Sequence, residues 1–397
     1  MTLVLDRERG ELRSTHAIVI GVGAYPWLPG GDKAGDPELA EGMGQLESPP
    51  RSARAFATWL IDHHHDPQAP LDTVELLVSE RVPEPFVRSD GVSFDVERSV
   101  KALITAALTR WRDRGNLADG NALIFYFCGH GVLANPKLML LAADFASNDE
   151  LPYNDAFWLE GLREGMLKNR ATRQVFFVDA CRVASGRLLK EYTSPLDPVF
   201  SARAPYTPGL ANATYYATTS GRPAYGRPGD VSLFTAFLLR ALDGMAADDD
   251  DGPWRVETTK IQRVLGDLST RLALPEHYGL QTPVGGDQTS FGFHWPKHAP
   301  KVPFFLRQAD EDDDGVPPGR IRQVSVEPEG GPPSVWPHPW EKSAVCSWEA
   351  GRFRSDQQAG MSYSWSVTYD DGTVMTSRPK TLNPPYRQVE FPRDGVA

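Results

Sequence analysis

The sequence predicts an α/β fold in which helices sandwich a mostly parallel sheet, followed by a small all-β C-terminal module. Over residues 10–298, short apolar runs rich in Val, Ile, Phe and Tyr alternate with segments whose apolar residues recur at helical spacing. Residues 321–397 contain only short strand-like runs. Strands that alternate with helices are typical of a parallel sheet covered on both faces.

Each predicted element has its own pattern. The strands are apolar runs bounded by Gly, Pro or small residues, and the helices carry apolar residues three and four positions apart. The predicted strands are 16–22, 74–78, 125–129, 138–142, 175–180 and 215–219, with 138–142 as a short hairpin partner. The predicted helices are 53–60, 96–111, 154–168, 234–242 and 261–272.

A change of composition marks the end of the α/β domain at residues 10–298. Residues 299–320 form a predicted linker that includes the acidic run Asp310–Gly319. In the module 321–397, the Asp-Asp-Gly step at 370–372 is typical of a hairpin. Strands are predicted there at 321–326, 343–348, 363–369 and 387–391. The module has no constellation of reactive residues, so the sequence leaves open whether it packs on the first domain or binds a partner.

Composition and charge exclude several classes of protein. With a formal net charge of −11 and no basic run, the chain is not expected to bind nucleic acid. The N-terminus lacks a long apolar run and no stretch approaches the ~20 apolar residues of a membrane span, so no membrane contact is expected. Three cysteines without metal-ligand spacing provide neither a disulfide framework nor a zinc site. We therefore expect a reducing, cytoplasmic location.

Two apolar runs end in reactive side chains. One run ends in Gly-His-Gly with His130, and the other ends in Cys181, 51 residues later. In an open parallel sheet, chemistry gathers beyond the carboxyl ends of the strands. If the two strands are neighbours, an imidazole lies beside a thiol and increases the fraction of reactive thiolate. Either residue alone is more often part of a core, but the pair indicates a cysteine nucleophile with a histidine base.

The runs Gly129–Gly131 and Asp179–Arg182 resemble the catalytic fragments of the caspase-type cysteine peptidases, especially the metacaspase and bacterial caspase-like branch. The resemblance covers residues 15–295. It implies a cysteine endopeptidase that hydrolyses protein or peptide substrates through a dyad of Cys181 and His130. It implies no obligatory redox or nucleotide cofactor. Bacterial members are often linked to stress, regulated death or phage defence.

The same resemblance implies roles for the groups around the dyad. The backbone N–H groups of Cys181 and Gly131 are the expected oxyanion donors, and a glycine at 131 lets the substrate backbone approach closely. Cys128 lies inside its apolar run rather than at the end. We therefore expect Cys128 to pack in the core. Cys346 lies in the predicted β module, far in sequence from the two apolar runs that end in His130 and Cys181.

Asp179 lies two residues before Cys181, and alternate side chains of a strand share a face. The resemblance implies that Asp179 receives a basic P1 side chain, Arg or Lys, and that Tyr225 forms a wall of the same pocket. The alternative is a strand-end carboxylate bonded to loop amides. Metacaspases have a second acidic residue where this chain has Ser52. A single carboxylate can still pair with a guanidinium.

The segment between Cys181 and the strand at 215–219 contains four prolines and is expected to be an exposed loop. Caspases are commonly matured by cleavage in the corresponding linker. Arg187, Lys190 and Arg203 are therefore predicted processing sites, cut by the chain itself or by an upstream activating protease. The alternative is an ordinary surface loop that proteases cut incidentally.

Two other functions stay open at this point. One is a catalytically inactive caspase-fold scaffold that binds partners through the β module, and the other is an enzyme that transfers the same acyl group to an amine. A metal site is not expected. The acidic run Asp248–Gly252 lacks the ligand spacing of a calcium loop. The three residues His63–His65 are expected to support a helix C-terminus.

Overall fold

The structure is a computed structural model. It describes residues 2–35, 40–134, 137–148, 150–184, 186, 199–200, 207–222, 224, 226, 229–249, 252–270, 281–309, 321–337, 346–349 and 352–392. The helices are α1 (Ser48–Asp62), α2 (Lys101–Gly115), α3 (Leu159–Met166), α4 (Leu233–Arg240) and α5 (Thr258–Thr270), with a 3-10 turn at Pro152–Asp155 and a π turn at Ala241–Met245.

The strands of the α/β part come first along the chain. They are β1 (Leu3–Asp6), β2 (Thr15–Val22), β3 (Leu71–Ser79), β4 (Phe86–Val87), β5 (Ser93–Phe94), β6 (Ala122–Gly129), β7 (Gly131–Ala134), β8 (Lys137–Leu141), β9 (Ala156–Trp158), β10 (Arg173–Ala180), β11 (Val183–Ala184), β12 (Ala211–Tyr216), β13 (Ala247–Asp248), β14 (Arg255–Glu257), β15 (Val284–Gln288) and β16 (Gly292–His294). The remaining strands are β17 (Lys301–Ala309), β18 (Ile321–Pro328), β19 (Ser334–Pro337), β20 (Cys346–Glu349), β21 (Arg352–Gln358), β22 (Ser362–Tyr369), β23 (Val374–Thr376), β24 (Lys380–Thr381) and β25 (Arg387–Pro392).

The chain forms two compact units. The first consists of Met1–Leu239 and Gly279–Trp295, and the second consists of Arg240–Tyr278 and Pro296–Ala397. This division differs from the boundaries predicted from the sequence, because α5 belongs to the second unit.

The predicted linker 299–320 also differs from the structure, since it contains the strand β17. Val302, Phe304 and Leu306 alternate along β17 and are buried in the core of the second unit. Alternation of this kind is the signature of a half-buried strand, and the neighbouring acidic run masked it in the composition. Residues 310–320 lie outside the described part of the chain.

A seven-stranded sheet with the order β1-β3-β2-β6-β10-β12-β15 forms the first unit. The five inner strands, from β3 to β12, run parallel to one another. The edge strands β1 and β15 are antiparallel to their neighbours. Central strands β2, β3 and β6 are buried along their whole length, as expected when helices cover both faces. The predicted fold class is confirmed.

Consecutive residues of β6 show how helices cover the sheet. Phe125 contacts Trp111 of α2, with ring centroids 6.4 Å apart. Tyr126, the next residue, stacks on Phe56 of α1 at 4.6 Å. Because neighbouring side chains of a strand point to opposite faces, α1 and α2 lie on opposite sides of the sheet. The Nε1–H of Trp111 also donates to the carbonyl of His16 at 3.0 Å.

Two predicted helices have different bounds in the structure. The helix predicted at 154–168 is divided into a 3-10 turn, the strand β9 and α3. The residues Ala-Phe-Trp of β9 pair with β8 instead of forming a helical turn. Aromatic residues favour strands, and here this preference outweighs the weak helical spacing of the segment. The helix predicted from residue 96 begins at Lys101, whose N–H donates to the carboxylate of Asp144 at 2.8 Å.

A second sheet, with the order β11-β7-β8-β9, follows the ends of β6 and β10. β7 and β8 pair as the predicted hairpin, with Gly131 opposite Leu140. β11 pairs in parallel with β7. After β6 the chain continues into β7, and after β10 it continues into β11. Because β7 and β11 pair with each other, the two segments stay adjacent beyond the strand ends.

The second unit contains two sheets, β20-β21-β17-β25 and β19-β18-β22-β23, with β24 also paired to β22. Phe304 stacks on Trp365 at 4.3 Å in its core. The predicted hairpin at 370–372 connects β22 and β23, and Gly372 has the positive φ of 86° that its turn requires. The predicted strands at 321–326, 363–369 and 387–391 fall within β18, β22 and β25. Residues 343–345 of the remaining prediction lie outside the described residues.

No helix in the described ranges is long and apolar enough to cross a membrane.

Candidate active site

Cys181 and His130 follow two paired strands at the same level. β6 and β10 are parallel neighbours, and their last register partners are Gly129 and Ala180. His130 is the next residue after one partner, and Cys181 is the next residue after the other. The prediction that these two strand ends are neighbours is confirmed. His130 and Cys181 thus follow adjacent strands at the carboxyl edge of the sheet.

The ring of His130 is held by a backbone carbonyl. Its Nε2 lies 2.7 Å from the carbonyl oxygen of Gly44, in the loop before α1. A carbonyl only accepts hydrogen bonds, so Nε2 carries the proton. In a neutral imidazole the other nitrogen, Nδ1, is then the acceptor. This bond therefore selects the neutral tautomer in which Nδ1 of His130 carries no proton.

Tyr25 holds the backbone of the same histidine. Its hydroxyl accepts the N–H of His130 at 2.8 Å and donates to the carbonyl of Leu141 at 3.4 Å. The two rings are in contact, with centroids 4.8 Å apart. A Cβ at residue 129 would lie 2.9 Å from the Tyr25 hydroxyl. A glycine at 129 therefore allows this hydroxyl to reach the strand end.

Burial favours the neutral form of both His130 and Cys181. Burial lowers the pKa of His130 to about 4, although the bond to Gly44 counteracts the shift. Burial raises the pKa of the Cys181 thiol, while the Ala224 amide opposes that rise. A thiol and a neutral imidazole can react only after a proton moves from sulfur to nitrogen. The two shifts therefore favour a neutral thiol and a neutral imidazole over an ion pair.

Ala224, Arg222 and Gly221, which follow β12, lie beside Cys181 and Arg182. The N–H of Ala224 donates to the Cys181 sulfur at 3.2 Å. Two backbone bonds fix the loop beside Arg182: its N–H donates to Arg222 at 3.1 Å, and its carbonyl accepts from Gly221 at 2.7 Å. The guanidinium of Arg182 lies over the Tyr216 ring, 4.3 Å from its centroid. These contacts hold the sulfur at one place relative to the sheet edge.

Gly131, the predicted oxyanion residue, is packed against the backbone of Cys181. A Cβ at this position would lie 2.7 Å from the carbonyl oxygen of Cys181 and 2.9 Å from the Cβ of Ala180. Real side chains do not tolerate such approaches to backbone atoms. The glycine therefore keeps its own main chain close to residue 181.

Asp179 is buried, with 4% of its surface exposed. Its Oδ2 atom accepts hydrogen bonds from the hydroxyl of Ser232, from the hydroxyl of Thr235 at 2.8 Å and from the thiol of Cys128 at 3.3 Å. Burial raises the pKa of the carboxyl, and these donors oppose that rise. Ser52 belongs to the same cluster, since its hydroxyl accepts the Ser232 N–H at 3.0 Å.

Cys128 is fully buried, as predicted, but it is more than core packing. Its thiol donates to the carboxylate of Asp179, so it is part of the polar cluster around Asp179. Burial raises the pKa of Cys128 well above its ordinary value. A thiol held in this way is a donor and not a nucleophile.

The sequence did not identify Gly44, Tyr25, Ser232 or Thr235 as site residues. One signal was available for Ser232, because it precedes α4 and its hydroxyl accepts the N–H of Thr235 at 3.0 Å, the bond of a helix N-cap. The contacts of all four residues with the site depend on tertiary structure.

Several predicted site residues are outside the described part of the chain. They are Tyr225, proposed as a pocket wall, and the processing residues Arg187, Lys190 and Arg203. Within the described residues, no group of three or more His, Cys, Asp or Glu side chains could hold a metal ion. Asp248, from the acidic run, forms an ion pair with Lys260.

Comparison with known protein families agrees with this geometry. Residues 15–283 match the model of the caspase domain of the C14 peptidases. The chain belongs to the caspase family. The resemblance inferred from the two short runs is thereby confirmed over most of the 397 residues. The caspase family consists in general of cysteine peptidases, and some of its members are inactive.

Individual relatives of this caspase-family chain are distant. An uncharacterized protein, y4kE of Sinorhizobium fredii (strain NBRC 101917 / NGR234), is 29% identical over 178 residues, which cover 44% of this chain and 50% of the relative. The chain thus spans half the length of that protein.

Two solved structures are also similar. The protein GSU0716 of Geobacter sulfurreducens covers 72% of the chain at 13% identity and a TM-score of 0.43, with 95% of its own length matched. Caspase-1 of Spodoptera frugiperda covers 71% at 12% identity and a TM-score of 0.38, with 91% of its length matched.

Proposed function

We propose that this chain is a cysteine endopeptidase that hydrolyses protein or peptide substrates after a basic residue. The observation that carries the proposal is the pairing of β6 with β10, which brings His130 and Cys181 to adjacent strand ends. The tautomer set by Gly44 supports it, because a base needs a bare nitrogen. The caspase family of the chain supports the reaction class.

The proposed reaction begins with transfer of the Cys181 proton to Nδ1 of His130. The sulfur then attacks the scissile carbonyl carbon, and the N–H groups of Cys181 and Gly131 donate to the oxyanion. The C–N bond breaks as His130 gives the proton to the leaving amine. Water, deprotonated by the same imidazole, attacks the thioester and releases the acid and the free thiol.

Asp179 is the proposed recognition group for the P1 side chain. Its carboxylate is buried within two residues of the nucleophile, and none of the three bonds from Cys128, Ser232 and Thr235 ends on Oδ1. A cationic P1 group that reached Oδ1 would complete the hydrogen bonding of the carboxylate and neutralise a buried charge. Folding has already removed the Asp179 carboxylate from water, so that desolvation cost does not arise again when the substrate binds. The ion pair between Asp179 and the P1 cation is therefore strongly favourable.

Fluorogenic peptides with Arg, Lys, Asp or Leu at P1 test this proposal. The wild type is expected to cleave the Arg and Lys peptides, and Cys181→Ala and His130→Ala are expected to lose activity by at least about a thousandfold. Cys128→Ser is the matched control, because a hydroxyl can still donate to Asp179. Hydrolysis retained in Cys181→Ala would exclude the assignment.

Product mass separates the remaining alternatives. Hydrolysis adds water to the acyl fragment, whereas a transferase leaves it joined to an added amine. A folded wild-type chain that cleaves no peptide before or after limited proteolysis would favour the inactive scaffold.

A further inference from the structure

One loop side chain joins the two residues that hold His130. Gln45 precedes α1, and its amide group grips the backbone of Tyr25 at both ends. The Oε1 atom accepts the Tyr25 N–H at 2.9 Å, and Nε2 donates to the Tyr25 carbonyl at 2.8 Å. Nε2 also lies 3.2 Å from the carbonyl of Pro29 and 3.4 Å from that of Leu28.

Tyr25 and Gly44 each hold His130 through one hydrogen bond. The hydroxyl of Tyr25 accepts the backbone N–H of His130, and the carbonyl of Gly44 accepts the ring Nε2–H. Gly44 is bonded covalently to Gln45. The hydrogen bonds of the Gln45 side chain therefore link the chain segment that carries the Gly44 carbonyl to Tyr25. A further bond, from the Leu46 N–H to the Gly23 carbonyl at 2.9 Å, ties the same loop to the end of β2.

We propose that Gln45 is a positioning residue that fixes the tautomer and the orientation of His130 through Gly44 and Tyr25. The inference rests on the proposed function for its kinetic consequences, but its structural part concerns the imidazole alone. Without the grip, the Gly44 carbonyl is held less firmly against the ring, although the Leu46–Gly23 bond still ties the loop to the end of β2. The proton of the neutral imidazole is then no longer confined to Nε2, and a fraction of the molecules carries it on Nδ1, where it blocks the base.

A second consequence follows for the pKa of His130. The bond to the Gly44 carbonyl favours the protonated ring and raises its pKa against the effect of burial. Loss of that bond therefore lowers the pKa further. If Gln45 only stabilised the loop, its substitution would lower the stability of the protein. The tautomer of His130 and the acid limb of the activity profile would then stay the same.

The test compares Gln45→Glu with Gln45→Met. Glutamate keeps the shape but presents oxygen to carbonyl groups, and methionine keeps the length without polar atoms. The matched control is Gln174→Glu, since Nε2 of Gln174 donates to the carbonyls of Met166 at 3.0 Å and Ala171 at 3.4 Å, at the start of β10 rather than its end. Thermal unfolding establishes which variants fold. The role of Gln45 is then tested on each Gln45 variant that folds.

Two readouts are measured on each folded variant. The imidazole nitrogen chemical shifts of His130, assigned with His130→Gln, report the tautomer without any substrate. We expect a pure Nε2–H form in the wild type and in Gln174→Glu, and a mixture in the Gln45 variants. We also expect kcat to fall on the order of ten- to a hundredfold, with KM within about twofold and the acid limb at lower pH.

The two readouts separate the two claims. If the wild type hydrolyses no peptide, the proposed function fails while the nitrogen shifts still decide the role of Gln45. An unchanged Nε2–H tautomer in both Gln45 variants overturns the inference, and so does a kcat within twofold of the wild type in an active enzyme. If neither Gln45 variant folds while Gln174→Glu does, Gln45 is a structural residue and the inference is also overturned.

Discussion

The hydroxyl of Ser232 donates a hydrogen bond to the carboxylate of Asp179, although 53 residues separate the two in the sequence. Ser232 lies just before α4, and Asp179 lies on β10. The bond ends on Oδ2, which also accepts from Thr235 and Cys128. Three donors fill the accepting capacity of that atom. In the proposed P1 pocket, a substrate cation is therefore left with Oδ1.

A guanidinium pairs best with a carboxylate that offers both oxygens. Because Oδ2 of Asp179 is occupied, we expect Lys at P1 to be cleaved at least as well as Arg. Ser232→Ala frees a position on Oδ2 and is expected to raise the ratio of kcat/KM for Arg over Lys by about three- to tenfold. Paired Arg and Lys peptides measure this ratio. A ratio that is unchanged in Ser232→Ala would contradict the role of the occupied oxygen.

Asp179→Asn removes the charge while keeping the size of the side chain. We expect kcat/KM for basic P1 residues to fall by roughly two orders of magnitude, about 3 kcal/mol, because the substrate cation is left unpaired on burial. Cleavage after neutral residues should change little. Asp287→Asn is the control, since Asp287 is an exposed carboxylate paired with Arg163. Efficient cleavage after Asp by the wild type would refute the pocket assignment.

The pH dependence of activity follows from the neutral pair. Burial lowers the pKa of His130 to about 4, which favours the neutral imidazole at higher pH. We therefore expect kcat/KM to be lost only as pH falls through about 4, with circular dichroism confirming the fold at each pH. An acid limb near the ordinary histidine value of about 6.5 would contradict this account.

The thiol gives a separate pH prediction. Burial raises the pKa of Cys181, so the thiolate fraction at neutral pH is below that of a free cysteine. Alkylation of Cys181 by iodoacetamide should therefore be slow at neutral pH and should keep rising above pH ~8.5, where an ordinary thiol is half ionised. Mass spectrometry of the alkylated peptide measures the rate. Fast labelling at pH 6 would indicate a resting thiolate instead.

Proteolytic activation is a prediction about the segment that follows the nucleophile. Replacement of Arg187, Lys190 and Arg203 together by Gln is expected to prevent cleavage within residues 182–214 and to lower the activity of the matured enzyme to that of the uncut chain. Sequencing of new N-termini after incubation, alone or with a candidate upstream protease, locates the cuts. Full activity of the uncut triple variant would exclude this mechanism.

The sequence was sufficient for the strands that carry the site. Buried apolar runs ending in His130 and Cys181 are local patterns, and parallel pairing of β6 with β10 follows from the alternation of strands and helices. The partners of these residues were not predictable, because the bonds of His130 to Gly44 and to Tyr25 span 86 and 105 residues. Which loop reaches a strand end depends on tertiary packing and not on a local pattern.

The same distinction explains the errors in the fold. The residues of β9 fit a helical pattern, but an available edge on β8 pairs with them. The strand β17 was hidden because the acidic run beside it dominates the composition of residues 299–320. In both places, pairing with another strand determines the structure. The local sequence of a segment does not show which strand it will pair with.

Covalent labelling by a peptide electrophile tests the central claim most directly. A short peptide with Lys at P1 and a thiol-reactive ketone at its carboxyl end is incubated with the wild type, Cys181→Ala, His130→Ala and Cys128→Ser, and the adduct is located by mass spectrometry. We expect a single adduct on Cys181 in the wild type and in Cys128→Ser, none in Cys181→Ala and strongly slowed labelling in His130→Ala. An adduct on Cys128, or labelling of Cys181 that is unaffected by loss of His130, would contradict that claim.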